Sequence, residues 1–302
     1  METLIKANGV ELCAETFGDR DAPPLLLVGN TMLTWPDELC ERLSGGRGRG
    51  PGGDGAERFV VRYDLRDTGR STTVTPEAPG YTLRDLVADA AALLDALDLP
   101  AAHVAGFGVG GWIAQLLALD HPGRLATLTL ISTRPTAPGP ADADLPEHAP
   151  EMMAHFMDPP PVDWTDRASV AAFALGNARH VGGGGFDEAE ARAAIEAVLD
   201  RTVVSGDDPG AAYRANLMAS TFAALDSGDR WRERLGGIAV PTLVIHGEDD
   251  PFFPVGNGRA LAAEIPGARL VTVPGMGQEL PRRAWDVIVP AILRHTSASA
   301  RP

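Results

Sequence analysis

Ala102-His103-Val104-Ala105-Gly106-Phe107-Gly108-Val109-Gly110-Gly111-Trp112 is the stretch on which the fold turns. Its first half is short and apolar and reads as a buried strand. From Trp112 to Leu119 the apolar residues continue as a helix. Between the two, glycines make a sharp turn. A strand, a strained turn and a helix carrying G-x-S-x-G form a nucleophile elbow, with serine at the tip and the next N–H pointing into an oxyanion hole. Gly106 and Gly110 supply both outer glycines, but the central residue is Gly108. The turn is kept and the nucleophile is absent. Gly106, Gly108 and Gly111 also fit the glycines of a dinucleotide fingerprint. The next strand, however, ends Ile131-Ser132-Thr133-Arg134, without the acidic residue that would hold a ribose.

Working outward, Leu4 to Phe17 reads as two strands around the turn Asn8-Gly9. Leu25-Leu26-Leu27-Val28 is a continuous apolar run, as expected of a strand covered on both faces, and Gly29-Asn30 ends it. Trp35 to Leu43 reads as a helix and Phe59 to Asp64 as a strand. Thr82-Leu83-Arg84-Asp85 opens a helix with a capping-box pattern, followed by an apolar stripe from Leu83 to Leu97. The elbow strand, its helix and the strand Leu125 to Ile131 continue the strand–helix alternation of a parallel sheet. From Pro135 to Pro161 the chain reads as irregular. Helical patterns follow around Ser169–Leu175, Asp187–Asp200 and Gly210–Leu225, with Gly182 to Gly185 read as a mobile break. The sheet resumes at Thr242 and again at Ala268, with helices at Gly258–Glu264 and Ala284–His295. The predicted organisation is a core of residues 1–133 and 236–302 with a helical lid, 134–235, inserted between strands.

The chain has 302 residues and a net charge of −15. That balance argues against nucleic acid or an anionic membrane as a partner. No apolar run reaches the length of a membrane span, and the start lacks a signal-peptide pattern, so the expected location is the cytoplasm. Cys13 and Cys40 are too few for a disulfide framework and read as core residues. The glycine-rich stretch Gly45–Gly55 reads as a surface loop.

The order of elements resembles the α/β-hydrolase fold over nearly the whole chain. Trp35-Pro36-Asp37-Glu38 and Arg62-Tyr63-Asp64-Leu65-Arg66-Asp67-Thr68-Gly69-Arg70-Ser71-Thr72-Thr73 are closer still, and resemble the aclacinomycin methylesterase family. Those enzymes remove a methyl ester from anthracyclines, polycyclic aromatic polyketides. The resemblance implies a Ser–Asp–His triad. Its acid falls on Asp250, its serine on Gly108 and its histidine on Gln278. Glycine cannot attack, and a glutamine is no base near neutral pH. Losing the serine or histidine of a triad costs about six powers of ten in rate, roughly 8 kcal/mol. Ester cleavage by a covalent route is therefore not the expected job.

What remains is a set of hydrogen-bonding groups. The Val109 N–H and a backbone N–H of Gly29-Asn30-Thr31 would form an oxyanion hole able to polarise a carbonyl, with Trp35 as a further substrate contact. The alternative is that the glycines serve only to let the helix pack on the sheet. Gln278 either orients a substrate or fills a turn. Asp250 either acts as acid or base in an apolar pocket or caps the turn Asp249–Phe253. His103 and His246 read as structural, and His148, His155 and His180 fall in the lid. No histidine pair has the spacing and carboxylate support of a metal site, so no metal and no cofactor are expected. Met152, Met153, Phe156, Met157, Trp164, Phe173, Tyr213, Met218 and Phe222 give the lid an apolar supply that suits a bulky, hydrophobic aromatic small-molecule substrate. The expected function is a cofactor-free, non-hydrolytic conversion of an aromatic polyketide-like intermediate by a monomer or homodimer. The alternatives are a non-catalytic binding protein and a residual esterase.

Overall fold

The computed structural model describes residues 1–46, 57–73, 80–137, 139, 141–203, 209–217 and 225–298. Its strands are β1 (Thr3–Ala7), β2 (Val10–Phe17), β3 (Pro24–Val28), β4 (Phe59–Tyr63), β5 (Ala102–Phe107), β6 (Leu125–Ile131), β7 (Thr242–Gly247) and β8 (Arg269–Val273). They form one sheet in the order β1-β2-β4-β3-β5-β6-β7-β8. β2 pairs antiparallel with β1 and β4, and the neighbours from β4 to β8 are parallel. The opening hairpin turns on Asn8 and Gly9, with φ of 47° and 79°. Such a two-residue turn requires positive φ at both positions, which asparagine and glycine tolerate best.

The helices are α1 (Asp37–Leu43), α2 (Leu83–Ala96), α3 (Val109–Asp120), α4 (Pro150–Met157), α5 (Arg167–Val181), α6 (Glu188–Arg201), α7 (Pro209–Leu217), α8 (Gly256–Glu264) and α9 (Trp285–Ala298). The capping box of α2 is reciprocal: Thr82 accepts from the Asp85 N–H, and the Asp85 carboxylate accepts from the Thr82 N–H. Its stripe of Leu83, Leu86, Val87, Ala90, Leu93 and Leu94 is buried. Apolar residues of α2, α3 and α8 build the core on one face of the sheet. Those of α1 and α9 build it on the other. The β3 run from Leu25 to Val28 is buried between these two layers, the arrangement its uninterrupted apolar sequence predicts.

Between β6 and β7 lie α4 to α7. The stretch 135–161, read as irregular from sequence, contains α4. Pro150 stands at the start of that helix with Glu151 in its first turn. Proline at the first helical position begins a helix rather than breaking one. Val170, Leu199 and Tyr213 form a small separate core here, with Trp164 packed against it. Trp164 meets Phe173 edge-on at 5.4 Å. These aromatics therefore pack within the segment. Met152 is buried, whereas Met157 is 80% exposed. Met218, Phe222, the side chain of Phe156, the Gly45–Gly55 loop beyond residue 46 and the helical pattern beyond Leu217 up to residue 224 lie outside the described residues. No helix among the described residues is long and apolar enough to cross a membrane.

Candidate active site at Gly108

Gly108 joins β5 to α3 with φ 56° and ψ −116°, a backbone conformation close to glycine-only. Its neighbours are glycines for a different reason. A Cβ on Gly110 would stand 2.1 Å from the Val28 carbonyl oxygen, and one on Gly106 would stand 2.2 Å from that of Gly110. These two allow the helix to pack against the sheet. At Gly108 itself, among the described residues beyond its chain neighbours, an added Cβ would meet only Gln278 Nε2 within 4 Å, at 3.3 Å. The tip of the turn has room for a side chain and carries none.

Val109 begins α3, so its N–H has no intrahelical partner. The β3 turn is less open than the sequence suggests. The Asn30 N–H donates to Thr34 Oγ1 at 3.2 Å, Thr31 Oγ1 accepts from the Leu33 N–H at 3.2 Å, and the Met32 N–H donates to Asp64 Oδ1 at 2.9 Å. Gly29 lacks a Cβ, and Thr34 occupies that space: a Cβ there would lie 2.6 Å from Thr34 Cβ. The expected Asn30 donor is thus engaged within its own turn, which leaves Val109 as the clearer one. Trp35 is corrected as well. Its side chain is fully buried in the core layer of α1 and α9 with Leu25, Leu27, Leu39 and Trp285.

Asp250 follows β7 and is buried. Its Oδ1 accepts the N–H groups of Phe252 at 2.9 Å and Phe253 at 2.8 Å, so the turn-capping reading of this residue holds for that oxygen. Oδ2 makes no full hydrogen bond; the Ser132 hydroxyl is close enough to act on it, and it lies 3.6 Å from His246 Nε2. That nitrogen is bonded to the Phe253 carbonyl at 2.7 Å. Burial pushes the Asp250 carboxyl up to about 8, against the pull of the two N–H bonds and of the Ser132 hydroxyl. Burial pushes the His246 imidazole down to about 4. Between those values both groups are neutral, and their approach is not an ion pair.

Gln278, in the turn after β8, donates from its backbone N–H to the Val181 carbonyl at 2.8 Å. Its side-chain Nε2 donates to the Ser132 carbonyl at 2.9 Å, while Oε1 is buried without a partner. The amide is thus bonded to Ser132 and not to Asp250. Ser132 directly follows β6, with φ 43°. It is fully buried, and its hydroxyl lacks a full hydrogen bond. Sequence reasoning missed it, although a polar residue directly after the apolar run of β6 was the available signal.

Gly182 to Gly185 is not a mobile break. It is a joint between the inserted segment and the turn that carries Gln278. A Cβ on Gly183 would lie 2.2 Å from the Gly275 carbonyl oxygen, and one on Gly277 2.2 Å from that of Val181. The Gly183 N–H donates to Glu279 at 3.2 Å and the Gly184 N–H to Asp249 at 3.1 Å. Gly183→Ala is expected to force the two backbones apart and cost about 1–3 kcal/mol. A thermal melt should show a loss of several degrees, and an unchanged melting temperature would refute the joint.

Among the described residues, no histidine atom lies within 4 Å of the position a Gly108 Cβ would take. His103 bonds Thr127 Oγ1 at 2.9 Å and His295 bonds the Leu128 carbonyl at 3.1 Å. His155 and His180 stack at 4.2 Å, and His148 lies 4.7 Å from the Phe252 ring. Among the described residues, no group of three or more His, Cys, Asp or Glu side chains is placed to hold a metal ion.

The site therefore sits at the carboxyl ends of parallel strands, where β3 and β5 adjoin and the strand order reverses, the usual ligand position in such a sheet. Residues 25–291 match the alpha/beta hydrolase family, and the chain belongs to it. It is 33% identical over 311 residues to the rhodomycin D methylesterase of Streptomyces sp. strain C5, covering 98% of both chains. It is 33% identical over 320 residues to the enzyme of the same name from Streptomyces peucetius, again covering 98% of both. Among solved structures, the meta-cleavage product hydrolase of Pseudomonas fluorescens IP01 superposes with a TM-score of 0.70 at 19% identity, covering 98% of each chain. The enol-lactonase of Burkholderia xenovorans LB400 gives 0.69 at 22%, covering 98% of this chain and all of the other. These two likenesses establish the fold.

Proposed function

We propose that this chain is a cofactor-independent enzyme of antibiotic biosynthesis that converts an aromatic polyketide-like intermediate without hydrolysing it. The reaction class is cyclisation, elimination, decarboxylation or rearrangement. Residues 1–133 and 236–302 form the hydrolase core in this reading, and 134–235 is the lid over the site. The observation that carries it is Gly108 with the Gln278 amide beside it: space where a nucleophile would stand, faced by a hydrogen-bonding group without basicity. A substrate carbonyl in that space accepts from the Val109 N–H and from Gln278 Nε2. The unbonded Gln278 Oε1 accepts from a substrate hydroxyl. Asp250, neutral over most of the physiological range, protonates the carbonyl oxygen as carbon dioxide leaves the neighbouring carbon, the electron pair of the broken carbon–carbon bond becoming the double bond of the enol. No covalent intermediate is needed, and geometry does the rest. Full-length similarity to rhodomycin D methylesterases supports a bulky aromatic ligand.

That same similarity favours one second reading, residual ester hydrolysis in which ionised Asp250 activates water. Incubation with rhodomycin D, its free acid and related anthracyclinone esters, followed by mass spectrometry, separates the two. The first reading expects an isomer, a dehydrated product or loss of carbon dioxide above the buffer rate. It also expects turnover to fall at least about tenfold in Gln278→Ala and in Asp250→Asn. A product shorter by one methyl group supports hydrolysis. Bound but unchanged ligand refutes both and leaves a binding protein.

A further inference from the structure

We infer that Arg201 is a positioning residue that ties the segment between β6 and β7 to the β3 turn through the buried carboxylate of Asp64. The connection is a continuous chain of short contacts. Arg201 ends α6 and its side chain is 9% exposed. Its Nη1 lies 2.6 Å from Asp64 Oδ2, and the Asp64 side chain is fully buried. Asp64 Oδ1 in turn accepts the Met32 N–H at 2.9 Å, and Oδ2 accepts the Arg70 N–H at 3.0 Å. Arg201 Nε also reaches Glu2 Oε1 at 2.6 Å, and Nη2 reaches Cys13 Sγ at 3.4 Å. α6 independently packs against the Met32–Thr34 turn. The Gly69 position completes the fit, since a Cβ there would lie 2.4 Å from Arg201 Nη1.

The physics makes the coupling directional. A buried carboxylate needs a counter-charge, and here the counter-charge comes from an element 137 residues away in sequence. If α6 lifts, Asp64 loses its cation. It must then take up a proton or draw in water, and either event weakens it as acceptor for the Met32 N–H. The turn after β3, which flanks Gly108 across the β3–β5 pair, is thus held in shape only while the segment is seated. This holds whatever the site turns over, so its test needs no substrate.

Hydrogen–deuterium exchange on the full chain, read by mass spectrometry, is the test. In Arg201→Gln, peptides covering the Met32–Thr34 turn should exchange about tenfold faster than wild type, while peptides from α8 and β8 keep their rate. Arg201→Lys keeps the charge but not the three-way fork, and should fall between. An unchanged rate at the turn overturns the inference. So does an equal acceleration of turn and reference peptides, which would mean general loosening. If Arg201→Gln does not fold, the ratio of turn to reference exchange in Arg201→Lys decides by the same criterion.

Discussion

The double variant Gly108→Ser/Gln278→His should release methanol from rhodomycin D at least about a thousandfold faster than the wild-type chain. The reasons are geometric. Among the described residues beyond its chain neighbours, a Cβ at position 108 meets only Gln278 Nε2, at 3.3 Å, so a serine there stands beside the residue that becomes its base. Val109 opens a helix behind it, and its N–H is placed to receive an oxyanion. Asp250 Oδ2 makes no full hydrogen bond, so it is open to accept from an imidazole that reaches it from position 278. Each single variant should gain little, because a nucleophile and its base act as a unit. A folded double variant that binds the ester and still leaves it intact would show that more than two side chains separate this chain from a working esterase.

The second large effect concerns Asp250 and pH. An unfolded aspartate releases its proton near pH 4, whereas burial holds the folded one to about 8. Between those values folding takes up a proton. Stability from this group is therefore complete below about pH 4 and is lost as pH rises through 8, by at most about 1.4 kcal/mol per pH unit. Asp250→Asn keeps the acceptor for Phe252 and Phe253 and removes the titration. Melting temperatures at pH 5 and pH 8.5 should thus diverge in the wild type and converge in the variant; equal pH dependence in both would refute the buried neutral acid. The same group sorts the functional readings. Acid-assisted conversion falls as pH rises past 8, and hydrolysis through an Asp250 carboxylate rises across that range.

Much of the scaffold was legible because its signals are local. Continuous apolar strands, the Asn8-Gly9 turn and the Thr82–Asp85 box each declare themselves within a few residues. The elbow was legible for the same reason, and so were Asp250 and Gln278, which fall in turns directly after strands. What stayed hidden depends on partners far along the chain. Nothing near Arg201 marks it as the counter-charge of Asp64. Nothing near Gly183 reveals that another backbone passes 2.2 Å from where its Cβ would be. Trp35 was misplaced because its sequence position next to the β3 turn does not tell which face of the sheet its ring enters. Pro150 misled because proline both starts and stops helices.

The turn at Gly108 also bears on how this chain tolerates change. With φ 56° and ψ −116°, a serine there would carry strain on the order of 1–3 kcal/mol, a load that a functional elbow has to bear. Glycine adopts the same angles without it. The chain therefore keeps the shape of a reactive turn with that load lifted, which widens its margin before unfolding by an amount comparable to one or two ordinary destabilising substitutions. A scaffold released from the cost of its nucleophile has more freedom to accept mutations around the pocket, and so to explore other ligands and other chemistry.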